Sequence, residues 1–322
     1  MGENKSSSLR VNISSVTKGT GETKQNSEKI EEISFGNPEI KPKNKLYWGD
    51  NLHIMRTLPS ESIDLIYIDP PFFSGRQYNV IFGGQNEIRS FSDIWEGGMP
   101  TYLTWLNARL LEMKRLLKPT GSIYVHLDWH ASHYVKVEMD KIFGYDNFRN
   151  EIVWHYRRWT GKAKKFQELH DIIFFYTKTE DYTFNPIYID YTEGSVQRKM
   201  QGVLHRFKKG EEPVLVSNKE INENGVRDND VWQIPFVAPS AKERLGYPTQ
   251  KPEALLEKII KASSNKGDIV ADFFCGSGTT PAVAQRLGRR WIASDISKIA
   301  VEITKGRILE LLKNEKDQLP IV

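Results

Sequence analysis

The chain has 322 residues, of which 39% are hydrophobic and 27% are charged, and its formal net charge is +4. This composition supports a sizeable core, in one α/β domain with an insertion or in two smaller domains. No apolar run approaches the roughly 18 residues that a membrane-spanning helix requires, and the single cysteine, Cys275, excludes a disulfide framework and a multi-cysteine zinc site.

The segment before residue 41 differs in composition from the rest of the chain. It is rich in Ser, Lys, Glu, Asn, Gly and Thr, and its first aromatic residue is Phe35. Such a segment buries too little apolar area to offset the entropy lost on ordering. We therefore predict a disordered polar tail over residues 1–40.

Strands and helices are predicted to alternate along the rest of the chain. Ile63–Ile68 is an almost continuous apolar run, which is typical of a strand covered on both faces. Apolar residues at spacings of three and four predict an amphipathic helix that stops at Lys118. The other predicted elements are a strand over Leu46–Trp48, a short helix within 51–59, strands over Ser122–Leu127, Ile152–Tyr156 and Ile172–Thr177, a helix starting near Pro252, a strand over Ile269–Phe274, a helix ending at Leu287 and a strand over Arg290–Asp295. This alternation indicates an α/β fold with a doubly wound, mostly parallel sheet.

A turn with two glycines connects one predicted strand to the next helix. Gly276 and Gly278 allow the backbone to approach a ligand closely, and the helix start offers N–H groups to an anion. An ordinary turn explains the same pattern, but a Walker A loop would need a lysine after Gly278, and a nicotinamide site would need glycine instead of Pro281. S-adenosylmethionine, which carries adenosine without a pyrophosphate, fits better, with its cationic groups near Asp272 and its ribose hydroxyls near Asp295.

A second turn, Asp69-Pro70-Pro71-Phe72, follows the Ile63–Ile68 strand directly. Ligands in open α/β sheets bind outside the carboxyl ends of the strands, although two prolines also serve simply to end a strand. A nucleobase amino group has two N–H groups, and a carboxylate and a fixed carbonyl can each accept a hydrogen bond from one of them. The lone pair of the nitrogen would then point at an electrophilic methyl group. Asp69 can supply the carboxylate, Pro70 the carbonyl, and Phe72 a ring that stacks on the base.

Together the two turns resemble motifs of the amino-methylating DNA methyltransferases with permuted motif order. The catalytic (D/N/S)PP(Y/F/W) motif matches Asp69–Phe72, the FxGxG cofactor motif matches Phe274–Gly278, and the likeness covers about residues 45–308. Further segments that resemble the family are Gly49-Asp50, Asp230–Pro235 and Tyr247–Pro252, the last of which usually begins with His.

The resemblance implies a circularly permuted class I S-adenosylmethionine-dependent methyltransferase. Its seven-stranded sheet would place the strand before Asp69 beside the strand before the glycine turn. The chain would divide into a catalytic half (41–180), an inserted target-recognition region (181–245) and a cofactor-binding half (246–322). The implied catalytic residues are Asp69, Pro70, Pro71 and Phe72, and the implied cofactor-binding residues are Asp50, Thr249, Lys251, Asp272, Phe274, Cys275, Gly276, Gly278, Thr279 and Asp295.

The resemblance also implies a substrate, the N6 amino group of an adenine flipped out of double-stranded DNA. In this family Asp at the first motif position with an aromatic residue at the fourth usually goes with adenine, whereas cytosine N4 enzymes usually carry Ser at the position of Asp69. Cytosine N4 and RNA amino groups are the alternatives, and a DNA-binding module without catalysis is a third hypothesis. Cytosine C5 chemistry is disfavoured, because Cys275 lies in the cofactor turn.

Clusters of cations beside aromatic residues favour a phosphate-binding surface over a merely solvated face. The predicted DNA-binding residues are Arg157, Arg158, Lys162, Lys164, Lys165, Arg198, Lys199 and Arg206. A metal site and a polar rim near the base pocket are the two interpretations of the cluster His126, Asp128, His130 and His133. Similar segments recur in the family without a metal, so the polar rim is favoured and no metal is predicted. A homodimer and a separate restriction endonuclease are further candidate partners, and the expected location is the cytoplasm, at the nucleoid.

Overall fold

A computed structural model describes residues 12–16, 30–35, 44–75, 77–82, 87–93, 95–157, 164–191, 203–205, 214–216 and 224–317. The chain divides into two compact units, one made of the residues up to 184 and from 230 onward, the other of residues 185–229. Within the described ranges, no helix is long and apolar enough to cross a membrane.

Strands and helices alternate along most of the described chain, as predicted. In chain order they are β1 Asn12–Val16, β2 Ile30–Phe35, β3 Asn44–Trp48, α1 Asn51–Thr57, β4 Ile63–Ile68, β5 Gln77–Phe82, β6 Glu87–Ser92, α2 Gly98–Leu116, β7 Leu117–Leu127, α3 Ser132–Phe143, β8 Phe148–His155, β9 His170–Thr177, β10 Tyr188–Ile189, β11 Val203–His205, β12 Val214–Val216, β13 Val226–Arg227, β14 Val231–Gln233, α4 Glu253–Ser263, β15 Ile269–Asp272, α5 Thr279–Arg286, β16 Arg290–Asp295 and α6 Lys298–Asp317. The hairpin β5–β6 was not predicted, and Pro252 caps α4 instead of occupying its first turn.

Ten strands of the larger unit form its central sheet, in the order β1-β2-β3-β16-β15-β4-β7-β9-β8-β14. Neighbouring strands from β3 to β7 are parallel, β9 runs antiparallel to β7 and β8, and β14 is parallel to β8. The predicted neighbours are confirmed, because Leu65 of β4 pairs with Val270 of β15. The expected seven strands are the middle of this sheet, and β1, β2 and β14 extend it at its edges.

Helices cover both faces of the sheet, which confirms the doubly wound α/β fold. Leu65 and Tyr67 of β4 belong to a buried cluster that includes residues of α4, α5 and α6. Ile66 and Ile68 belong to a second cluster, which includes residues of α1, α2 and α3. Because successive residues of a strand face opposite sides, the continuous apolar run of β4 is buried on both.

The prediction of a disordered tail over residues 1–40 is wrong for the residues that form β1 and β2. Strand β2 pairs antiparallel with β3, and Ile33 and Phe35 are 4% and 2% exposed. The rings of Phe35 and Trp291 lie 5.4 Å apart. The polar composition of the whole segment concealed a local alternation of apolar and polar residues at 33–35. A strand added to the sheet buries the two apolar side chains of this pattern, Ile33 and Phe35. The remaining residues of the predicted tail lie outside the described ranges.

The smaller unit covers only residues 185–229 of the predicted target-recognition region. Its described strands form two antiparallel pairs, β10 with β13 and β11 with β12. From Asp230 onward the chain belongs to the larger unit, where β14 pairs with β8 and Trp232 is 7% exposed. Because Trp232 is buried in the larger unit, the smaller unit ends at residue 229, whereas the recognition region was predicted to end at residue 245. The recognition role of the smaller unit stays a prediction.

Candidate active site

The turns that follow β4 and β15 face one cavity at the carboxyl ends of the parallel strands. The cavity has a volume of about 250 Å³. Residues predicted to be catalytic or cofactor-binding that line it are Asp50, Asp69, Pro70, Pro71, Phe72, Thr249, Lys251, Asp272, Phe274, Cys275, Gly276, Thr279 and Asp295. Two motifs that are about two hundred residues apart in the chain therefore meet, because β4 and β15 are neighbours in the sheet.

The glycine turn needs both of its glycines. Gly276 and Gly278 have φ angles of +50° and +73°, in the left-handed region that side chains disfavour. A Cβ on Gly278 would lie 2.6 Å from Oγ1 of Thr304, so Gly278 is a packing residue behind the cavity wall. A Cβ on Gly276 would lie 3.2 Å from the ring of Tyr247. Tyr247, which departs from the family pattern, therefore covers the turn with its buried ring.

A buried acid, Asp272, and a half-buried acid, Asp295, brace the glycine turn. Oδ1 of Asp272 accepts the N–H of Phe274 at 3.0 Å, and its Oδ2 accepts the hydroxyl of Thr280 at 2.5 Å. Burial raises the pKa of Asp272 to about 7, although these two hydrogen bonds lower it. Asp295 accepts the N–H of Gly276 at 2.9 Å, and burial raises its pKa too.

Asp50 joins the start of α1 to the middle of α2. One oxygen of its carboxylate accepts the N–H of Leu52 at 2.7 Å and so caps α1. The other oxygen pairs with Arg109 at 2.6 Å. Asn51 continues this contact, because it accepts a hydrogen bond from Arg109 and donates one to the carbonyl of Phe273. Sequence reasoning missed Arg109, whose charge on a largely apolar helix face was the available signal.

The carboxylate of Asp69 is bound by a residue from the far half of the chain. Its Oδ2 accepts a hydrogen bond from the ammonium of Lys251, which also lies 5.4 Å from the ring centroid of Phe72. Lys251 was predicted to bind the cofactor, but its ammonium contacts the predicted catalytic turn. Its carbonyl accepts the hydroxyl of Thr279 at 3.1 Å, at the start of α5. Lys251 thus connects the catalytic turn to the cofactor turn.

A fully buried histidine, His126 of the predicted polar rim, lies beside Asp69. Nδ1 of His126 is 3.0 Å from the hydroxyl of Tyr67 and 3.5 Å from Oδ1 of Asp69, and Nε2 is 3.1 Å from Oδ2 of Asp171. Burial and the nearby Asp69 raise the pKa of Tyr67, which therefore keeps its proton. Burial would raise the pKa of Asp171, but the hydrogen bond and charge of His126, together with other neighbouring groups, outweigh burial and lower the pKa.

The four residues considered for a metal do not converge. His126 is fully buried beside Asp69 and Asp171, whereas Asp128 accepts a hydrogen bond from the backbone of His130 and lies 2.8 Å from its ring nitrogen. Among the described residues, no group of three or more His, Cys, Asp or Glu side chains is arranged to hold a metal ion. Burial raises the pKa of Asp128, although the contacts with His130 lower it.

Three of the predicted DNA-binding residues are described, and all three are exposed: Arg157, Lys164 and Lys165. Lys165 pairs with Glu168 at 2.5 Å and lies 5.9 Å from the ring of Trp129, which is 52% exposed. Arg158, Lys162, Arg198, Lys199 and Arg206 lie outside the described residues.

The residues around the glycine turn fit S-adenosylmethionine. The carboxylates of Asp272 and Asp295 suit positively charged groups and hydroxyls, and the missing Cβ at Gly276 lets a ligand approach the backbone. Ile296 lines the same cavity and is 71% exposed, so it offers an apolar surface to a flat ring. Sequence reasoning missed Ile296, although its position directly after the strand-ending acid was a usable signal.

Comparison with known proteins gives the same family as the two motifs. A family model described as DNA methylase, of the N6/N4 methyltransferase type, matches residues 63–306. The chain is 32% identical over 265 residues to the type II methyltransferase M.HpaI of Haemophilus parainfluenzae, covering 82% of this chain and 74% of that protein. It is also 32% identical over 267 residues to the DNA adenine methyltransferase YhdJ of Escherichia coli, covering 81% of each.

The fold is also that of a solved enzyme. The cytosine-N4-specific PvuII DNA methyltransferase aligns with a TM-score of 0.56 and 18% identity, covering 84% of this chain and 90% of that one. At this identity the likeness concerns the fold, a class I methyltransferase sheet. The family match spans most of the chain and both motifs lie within it. The chain therefore belongs to the N6/N4 DNA methylase family and is a DNA methyltransferase whose cofactor is S-adenosylmethionine.

Proposed function

We propose that this enzyme methylates the N6 amino group of an adenine flipped out of double-stranded DNA. The observation that carries the proposal is the single cavity lined by both Asp69 and Gly276. A methyl donor at the glycine turn and an amino group at Asp69 would share one enclosure, which is what direct transfer requires. The cofactor supplies a methyl group activated by its sulfonium, and no covalent bond to the protein is needed.

The carboxylate of Asp69 is the acceptor for the target amino group. Its Oδ1 is buried and has no hydrogen-bond partner among the described residues. A buried acceptor without a donor is costly, and the N–H of a bound base would supply the missing donor. The Pro70 carbonyl accepts the second N–H, and Phe72 stacks on the base. The Lys251 ammonium lies 5.4 Å from the centroid of the Phe72 ring, so a base stacked on that face of the ring would displace it.

The choice of adenine rests on Asp at the first position of the catalytic motif. It is supported by the 32% identity to YhdJ, which is named a DNA adenine methyltransferase. Cytosine N4 is the second candidate, because the PvuII enzyme with the same fold is named as cytosine-N4-specific.

Contacts with the duplex are proposed for the exposed cations Arg157, Lys164 and Lys165. Lys164 and Lys165 would neutralise phosphates, and exposed Trp129 beside Lys165 offers a ring to a base or sugar. Base recognition is assigned to residues 185–229. A homodimer and a separate endonuclease rest on the family resemblance alone.

The test combines Asp69→Ala with mass spectrometry of nucleosides. Duplex DNA incubated with the purified enzyme and cofactor should contain N6-methyladenine. Because Asp69 would hold the reacting nitrogen, Asp69→Ala should lower the transfer rate by about 10²–10³-fold. Cofactor affinity, measured by calorimetry, should change less than about threefold, since Asp69 lies in the other turn.

Three results would contradict parts of this proposal. N4-methylcytosine without N6-methyladenine would overturn the choice of base. Methylation of RNA in place of duplex DNA would overturn the substrate. Unchanged transfer by Asp69→Ala would overturn the role of the carboxylate.

A further inference from the structure

A buried carboxylate lies beside the catalytic turn and lines the same cavity. Asp93 is 2% exposed and follows the hairpin β5–β6. Its Oδ1 accepts the N–H of Phe73 at 3.0 Å and the indole N–H of Trp95 at 3.1 Å. Its Oδ2 accepts both the N–H and the hydroxyl of Ser74, at 2.6 and 2.7 Å. Four donors thus compensate for the burial of this charge.

These hydrogen bonds hold a backbone conformation that a phenylalanine disfavours. Phe73 has a φ of +63°, one of two positive φ angles at non-glycine residues in the described chain. Such a conformation persists only when the surroundings impose it. Without the contacts to Asp93, Phe73 would relax toward a negative φ, and the adjoining Phe72 would change direction.

Asp93 also closes the base of the hairpin and acts together with a second anchor. Its carbonyl accepts the N–H of Gly75 at 3.2 Å. On the other side of the turn, the hydroxyl of Tyr102 donates to the carbonyl of Pro71 at 2.8 Å. Burial raises the pKa of Tyr102 and nearby Asp93 adds to this, so the hydroxyl remains a donor. The turn is therefore held from both ends.

We propose that Asp93 is the positioning residue of the catalytic turn. By holding Phe73 in the left-handed region, it sets the direction of the Phe72 ring and of the Pro70 carbonyl before a base enters the cavity. This inference rests on the proposed function, in which Phe72 and Pro70 contact the base. It assigns to Asp93 an effect on the rate of transfer beyond its effect on folding.

The kinetic test compares Asp93→Asn with Asp64→Asn. Asp64 is a matched control, because its carboxylate accepts Lys118 at 2.7 Å and the N–H of Ile269 at 2.8 Å, at the opposite end of β4. The amide of Asp93→Asn loses one acceptor oxygen and faces donors with its NH₂ group. We expect kcat to fall by about 10–100-fold, since small displacements of reacting groups have effects of this size. The cofactor Kd should change less than about twofold, and Asp64→Asn should keep wild-type kcat within about twofold.

Two kinetic results would overturn the inference. One is a kcat of Asp93→Asn within twofold of the wild-type value. The other is an equal loss of kcat in Asp64→Asn, because that would mark a general effect of neutralising a hydrogen-bonded carboxylate.

A second measurement keeps the inference testable if no methyl transfer is detected. Amide hydrogen exchange at Phe73 and Ser74 should accelerate at least tenfold in Asp93→Asn, while exchange in β4 stays unchanged. A wild-type enzyme that methylates no DNA would refute the proposed function without touching this result. Unchanged exchange at both amides would refute the positioning role. If Asp93→Asn does not fold, Ser74→Ala replaces it, because this substitution removes only one of the donors to Asp93. Unchanged kcat and unchanged amide exchange in Ser74→Ala would likewise refute the positioning role of Asp93.

Discussion

At the scale of single residues, burial decides the charge of Asp272. Its carboxylate is 3% exposed, and burial raises its pKa to about 7 from an ordinary value of 3.8. Thr280 and the N–H of Phe274 lower the pKa, whereas nearby Asp69 and Asp295 raise it further. Near neutral pH the carboxyl group of Asp272, in the part of the cavity wall that suits a cation, is therefore only partly ionised.

The shifted pKa of Asp272 predicts a pH-dependent stability. Between about pH 4 and 7 the folded chain keeps a proton on Asp272 that the unfolded chain has lost. Below the pKa of Asp272 in the unfolded chain, both states are protonated and the free energy of unfolding is not reduced. Above its pKa in the folded chain, ionisation of the buried carboxyl group reduces the free energy of unfolding by the full amount. We expect the stability of the wild type relative to Asp272→Asn, measured by urea unfolding, to fall as the pH rises from about 4 to about 8. A pH-independent difference between the two proteins would contradict this.

At the scale of elements, β2 shows how a polar segment can carry a strand. Among the side chains of β2 that the structure describes, Ile33 and Phe35 are in the core, and Lys45 of β3 pairs with Glu32 on the other face at 3.2 Å. The strand extends the sheet beyond β3 and covers an edge that would otherwise expose unpaired backbone groups. Its contribution to stability depends on two apolar side chains.

Phe35→Ala tests whether β2 belongs to the folded unit. Removing a buried phenylalanine side chain typically costs about 3–5 kcal/mol, and Phe35 contacts Trp291. We expect the free energy of unfolding to decrease by about this amount in urea titrations. Ser34→Ala, at a half-buried neighbouring position, should change it by less than about 1 kcal/mol. Equal stabilities of the two variants would mean that β2 does not contribute to the fold.

At the scale of the whole molecule, the proposed DNA contacts lie at the carboxyl edge of the sheet. The exposed cations Arg157, Lys164 and Lys165 follow β8 and precede β9, near the ends of the strands that line the cavity. Other exposed cations lie elsewhere, such as Lys261 near the end of α4 and Lys266 in the turn before β15. The net charge of +4 is small, so the position of the cations matters more than their number.

The salt dependence of binding distinguishes these two sets of cations. Lys164→Gln with Lys165→Gln should weaken binding to all duplexes alike and reduce the slope of log K against log salt by about 1–2, because each phosphate contact contributes about 0.9. The control pair Lys261→Gln with Lys266→Gln removes the same charge at the amino end of the sheet and should leave the slope unchanged. Fluorescence anisotropy at several salt concentrations measures both. Equal slopes for the two double variants would place the duplex elsewhere.

Fold prediction succeeded where the pattern was local. The continuous apolar run Ile63–Ile68 predicted a strand covered on both faces, and the two motifs predicted which strand ends line the cavity. It failed for β2, where average composition concealed two core residues, and for Trp232, whose burial draws the chain back into the larger unit. In both cases the missing information was the partner surface, which no window of sequence contains.

The two turns, most of the strands and helices from β3 onward, and the family could be read from the sequence, because each motif and each periodic pattern consists of residues that are close along the chain. The tertiary structure alone decided which side chains meet. Lys251 reaches Asp69 across 182 positions, His126 lies between Tyr67 and Asp171, and Asp93 holds Phe73. These contacts arise from strand order and helix packing, which bring distant residues together at one edge of the sheet.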